Sequence, residues 1–191
     1  MRSVEEIVKR CVCVEIVCQR LALEQQAGEV DDAERLRADL VATAKKLDVM
    51  DAMVKTEKAV LQTPVGTLDL EDEGFSTFFA DVAVLLWCLK RIDTLPTVAE
   101  LATETLNDVL ASGFWSLGGK TILQAMHDAT LRERKELDSM LTSVSKATMK
   151  AHPNAPGTDV PPFTVLYVIP WILAATHPWG TPVEAASVLP N

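Results

Sequence analysis

At 191 residues and 48 % hydrophobic content, the chain is long enough to bury one core without disulfides or a structural metal. Aromatic residues are 5 % and glycines number 8, so aliphatic side chains must fill the interior and an all-β meander lacks turn material. With 27 acids against 18 bases the net charge is −9, which argues against nucleic acid and anionic membrane as partners, since both are held by clustered Lys and Arg.

The opening, MRSVEEIVKR, has acids within six residues of Met1 and lacks the apolar core of a signal peptide, so a cytoplasmic protein is expected. Ser3 to Glu6 reads as a capping box, a Ser/Thr-x-x-Glu pattern in which side chains satisfy the free amides of a helix start. A first helix is expected over Val4 to Gln26. Its inward stripe is Val4, Ile7, Val8, Cys11, Val14, Cys18, Leu21 and Ala22, with Glu5, Lys9, Glu15 and Gln19 off it. Gly28 ends it. A second helix follows over AERLRADLVATAKKL, capped by Asp31 or Asp32, with Leu36, Leu40, Ala44 and Leu47 inward. Asp48 to Leu61 reads as a turn and a short helix, broken by Thr63 to Gly66.

Phe75 to Leu89 is apolar on all sides. The unbroken run from Val82 to Leu89 is far short of the roughly 20 residues of a membrane span, so it reads as a buried central helix. Thr97 to Glu100 is a second capping box and opens a helix to Ala111. In the loop Ser112 to Gly119 the glycines resemble a phosphate loop. However, five residues separate Gly113 from Gly119, one more than that loop has before its Lys-Thr. Thr121 to Lys150 is expected as the longest helix. After a Pro-rich loop, FTVLYVIPWILAAT forms a last apolar helix that Pro170 should kink or interrupt. Thr181 to Glu184 is a third capping box, with Pro182 at the first helical position. The expected architecture is therefore all-α: one helical domain over residues 1–191, of about seven helices around Phe75–Leu89.

Chemistry is sparse. Cys11, Cys13 and Cys18 on one rigid helix cannot converge on a metal, and with Cys88 they read as small buried hydrophobes. His127, His152 and His177 fall in no catalytic signature, and neighbours such as His127 and Asp128 point about 100° apart on a helix. Catalytic, metal and cofactor sites are not expected. Asp81 is the most suggestive carboxylate because Phe78, Phe79, Val82 and Leu85 surround it. Burial would raise its pKa and suit acid–base work, whereas the ordinary reading pairs it with a base or peptide amides. Trp87 and Trp171 read as core, and Trp115 and Trp179 lie in loops where a tryptophan can meet a partner.

Four segments, RSVEEIVKR, KKLDVMDAMVKTEKAVL, VLLWCLKRIDTLP and IPWIL…PWGTPVEAAS, occur in an order that resembles a family of small bacterial proteins, catalogued as domain of unknown function 4272. The specific part is LLWCLKRIDTLP. The family's polar positions in its last two helices appear here as HDATLRERKEL and FTVLYVIPWIL, with Pro170 where the family has asparagine. The resemblance implies a soluble helical bacterial protein and brings no activity.

The function expected from these residues is a non-catalytic one, exercised by protein–protein interaction in an immunity- or adaptor-like role. Any partner would be basic, and Trp115, His177 and Trp179 are its candidate contacts. The alternative is a ligand-binding or enzymatic protein with an interhelical pocket near Asp81, His127 and the Pro170 kink.

Overall fold

The computed structural model describes residues 1–25, 30–69, 73–101, 113, 122–127, 129–150 and 162–181. The helices are α1 (Val4–Gln25), α2 (Val30–Lys46), a 3-10 turn (Met50–Ala52), α3 (Lys55–Gln62), α4 (Glu73–Cys88), α5 (Val98–Leu101), α6 (Ile122–His127), α7 (Arg134–Lys150) and α8 (Pro162–Leu173). No strand occurs among the described residues, and the helices pack as one all-α bundle. A single apolar cluster draws on α1, α2, α3, α4, α6, α7 and α8. No helix among the described residues is long and apolar enough to cross a membrane.

The expected central helix is there: Val82 through Leu89 are all buried, where α4 packs against α1 and α8. It shares the centre with α1. Every residue from Arg10 to Cys18 is buried, because α2, α3, α4, α6 and the 3-10 turn close round α1 from all sides. The single inward stripe expected for α1 is thus too narrow. Val12, Cys13, Ile16 and Val17 are also in the core, and Glu15, placed off the stripe, is 1 % exposed. A one-stripe reading assumes that one face stays wet, and the middle of α1, Arg10 to Cys18, has no such face. Leu36 departs the other way; it lies outside the core, 44 % exposed.

Two capping boxes form as their sequences predict. Ser3 N–H donates to Glu6 Oε2 at 2.9 Å and Glu6 N–H returns to Ser3 Oγ at 3.2 Å. Thr97 and Glu100 repeat the exchange at 2.7 and 3.1 Å. The third, Thr181 to Glu184, runs outside the described residues, as do Gly28, most of Thr97 to Ala111 and the loop around Trp115.

The helix expected over Thr121 to Lys150 is broken. The chain leaves α6 after His127 and restarts as α7 at Arg134. The cause is tertiary. Arg132 N–H donates to Cys88 O at 2.8 Å, and its guanidinium donates to Trp87 O at 2.7 Å and to Ile92 O and Asp93 O at 3.1 and 3.0 Å. These carbonyls lie at and just beyond the end of α4, where a continuous helix could not deliver the arginine to them. Pro170 does not interrupt α8, which runs on to Leu173. It sits in the last turn, where losing one N–H removes a single ladder bond.

α4 stops in a left-handed turn at Lys90, φ 54°. Lys90 N–H donates to Trp87 O and Arg91 N–H to Leu86 O, at 3.1 and 2.9 Å. This arrangement usually takes glycine, since the left-handed region costs an L-residue roughly 1–2 kcal/mol. The Lys90–Glu136 ion pair, 3.8 Å apart at the surface, adds little to offset that. Lys90→Gly should therefore stabilise the fold by about 0.5–1 kcal/mol after glycine's own entropy cost. A thermal melt should rise by roughly 1–4 °C, and a fall would show that Lys90 holds the turn by contacts other than these.

Candidate functional site

The polar residues of the interior meet on one side of α1. Glu57 is the third residue of α3 and accepts Val54 N–H at 2.9 Å, closing the start of that helix. Its other oxygen takes the Arg10 guanidinium in an ion pair buried at both ends. Arg10 also donates to Ala52 O at 2.9 Å, and its guanidinium lies 4.7 Å from the centre of the Trp179 ring. One cation thereby holds α1, the 3-10 turn, α3 and the turn after α8.

Across from it, Asp81 on α4 accepts the hydroxyl of Tyr167 on α8 at Oδ1. Asp81 is 3 % exposed. Burial pushes its carboxyl well above the usual range; the Arg10 charge draws it down and the Glu57 charge adds to the rise. The partner of Asp81 among the described residues is thus a neutral hydroxyl, where the ordinary reading had a base or a peptide amide. Oδ2 has no hydrogen bond among the described residues.

Aromatic rings continue from Tyr167 in both directions. Phe163 meets it edge-on at 5.8 Å, Trp179 at 5.6 Å, and Trp171 meets Trp179 at 5.1 Å. These groups border a cleft of about 400 Å³. Asp81 and Glu57 line its polar part with Thr56 and Thr77, and its walls are Phe78, Phe163, Tyr167 and Trp179 with Val54 and Val60. Phe163 stands at the rim, 57 % exposed. Gly180 closes the margin at φ 77°, a conformation that lets the chain turn and lay Trp179 on the bundle.

Of the residues singled out in the sequence, the cleft brings together Asp81 and Trp179. His127, expected as a second polar group of this pocket, is exposed at the end of α6 and does not line it. His177 is half-buried beside the cleft; its ring meets Thr181 O at 2.6 Å and its own carbonyl accepts from Arg2 at 3.2 Å. Trp179 lays its ring against Arg10, Tyr167 and Trp171. Trp115 lies outside the described residues.

Sequence reading missed Arg10, Glu57, Phe163 and Tyr167. A usable signal existed for one: Tyr167 is the chain's single tyrosine, set in an apolar helix, and a buried phenol needs a partner. All four cysteines are buried, and burial raises the Cys13 thiol to about 11 and those of Cys11 and Cys18 further. They are poor nucleophiles in that state. Among the described residues no three of His, Cys, Asp and Glu gather in a metal-binding group.

Scans of the chain against protein-family models, curated proteins and solved structures give no match. What the cleft does must be argued from its own chemistry.

Two outcomes follow from this chemistry. A raised carboxyl pKa favours folding fully below the unfolded value near 3.8, and that contribution is lost as the pH rises through the folded value. Asp81→Asn imitates the protonated group, so it should melt above the parent near neutral pH and converge with it toward about pH 4. A difference that does not vary with pH would disprove the assignment. Arg10→Met strands the Glu57 carboxylate and should cost about 3–5 kcal/mol in urea unfolding, part of which Glu57→Gln restores in the double variant.

Proposed function

We propose that the protein binds a small, partly apolar molecule in the cleft between α3, α4 and α8. The reading is carried by one observation: Asp81 lines this cleft almost fully buried, yet Oδ2 has no hydrogen bond among the described residues. Oδ2 is not one of the sealed polar atoms that lack a partner, so it keeps hydrogen-bonding capacity open at the cleft, and that capacity calls for an explanation. A ligand group placed beside Asp81 supplies one. Aromatic walls around a few convergent polar atoms are the usual make-up of small-molecule sites.

The protein-partner role expected from the sequence has less support. His177 and Trp179 are engaged within the chain, and Phe163 is the large exposed side chain at this site.

Screening a metabolite panel by thermal shift tests the proposal. A true ligand at one hundred times its Kd stabilises the folded state by about 2.7 kcal/mol, which for this length is a rise of roughly 5–10 °C. Phe163→Ala at the rim and Asp81→Asn at the floor should each reduce it. Hits whose shifts ignore both substitutions would place binding elsewhere and end the proposal.

A further inference from the structure

We propose that the cleft selects a monocation, an ammonium group on a small apolar body, an inference that rests on the cleft being a ligand site. Among the described residues, the side chains lining it include two carboxyls and no base. The cation whose charge reaches Asp81 among the described residues, Arg10, is already committed to Glu57. Asp81 is thus the acid without a basic partner, and no salt bridge to it occurs among the described residues.

The walls suit a cation as well. An ammonium over the face of Trp, Tyr or Phe gains about 0.5–2 kcal/mol, more as water is excluded. The protein uses this attraction repeatedly on its own side chains. Arg2 lies 4.4 Å from the Trp171 ring centre, Arg132 4.4 Å from Trp87, and Arg10 4.7 Å from Trp179. An anion would instead meet Asp81 and Glu57 with no lining base to receive it.

Binding of such a ligand is a proton exchange. Burial favours the protonated form of Asp81; the ligand ammonium takes the place of that proton, which leaves to solvent, and a carboxylate–ammonium pair remains. The charged or titratable groups around Asp81 are Arg10 and Cys18 from α1, Glu57 from α3 and Tyr167 from α8. Arg10 opposes the incoming charge and Glu57 answers Arg10, so Asp81 supplies the attraction that remains. Affinity should then rise with pH until Asp81 is ionised in the free protein.

Isothermal titration of the full chain with phenethylammonium, benzyltrimethylammonium, 2-phenylethanol and 3-phenylpropionate separates the possibilities. The two cations should bind at least about tenfold more tightly than the alcohol, and the carboxylate should give no heat. Proton release should make the measured enthalpy depend on the buffer, and Asp81→Asn should lose the preference for cations while still folding by circular dichroism. If the alcohol or the carboxylate binds as well as the cations, and Phe163→Ala weakens it, charge selection is wrong although the cleft remains a ligand site. If no probe binds, the inference falls; if the metabolite panel also shows no shift sensitive to Phe163 and Asp81, the ligand site falls with it.

Discussion

The Arg10–Glu57 pair joins two charges that have almost no access to water, with Arg10 4 % and Glu57 0 % exposed. It follows from the burial of α1. Where it is enclosed on every face, from Arg10 to Cys18, the helix cannot turn a side chain outward, so a charge there must find its counterpart inside the bundle. Arg10 does so by reaching α3, and in passing it fixes the 3-10 turn through Ala52 O and the chain after α8 through Trp179. Such a pair adds little net stability over an apolar replacement, but it is strongly directional. It determines which end of α3 faces α1 and where Trp179 lies, and those two placements form two sides of the cleft.

The other arginines show the same economy at helix ends. Arg2 donates to Trp171 O and Ala175 O at the end of α8, at 2.9 and 2.8 Å. Arg132 does this for α4. Arg20 donates to Thr63 O and Pro64 O, and Arg37 to Leu61 O, at the end of α3. The last carbonyls of a helix carry a partial negative charge and lack helical donors, and a guanidinium brings several donors in one plane. A lysine would bring the charge without the fork. Four helix contacts are tied by residues that composition alone counts as surface charge. Four arginines are thereby committed to contacts within the bundle.

Legibility in the sequence followed from how local each cause was. The run Val82 to Leu89 was readable as a buried helix because it has no polar face and is bounded by Asp81 and Lys90. The capping boxes at Ser3 and Thr97 were readable because their partners are three residues away. The break between α6 and α7 was not, since nothing in HDATLRERK disfavours helix; what stops it is the need for Arg132 at the end of α4. Glu57, within KTEKAVL, looks like any surface glutamate, and its partner is 47 residues away. Asp81 stood out as an acid among apolar residues, but the hydroxyl that meets it is 86 residues further on. One residue was legible in the cleft, and its surroundings were not.

Asp81 also sits badly in the fold considered by itself. A leucine at this position would add apolar area to the contact between α4 and α8 and would avoid desolvating a carboxyl. The Tyr167 hydroxyl then would need another acceptor, but a phenylalanine would remove that need in turn. The empty protein therefore carries a two-residue polar contact that a purely structural core could replace at a gain. Arg10, whose charge reaches Asp81, is held by Glu57 instead, so the carboxyl has no basic partner among the described residues. Local departures of this kind, where the fold is weaker than its sequence could make it, are where binding sites are found. On the proposed reading, the missing charge belongs to the ligand.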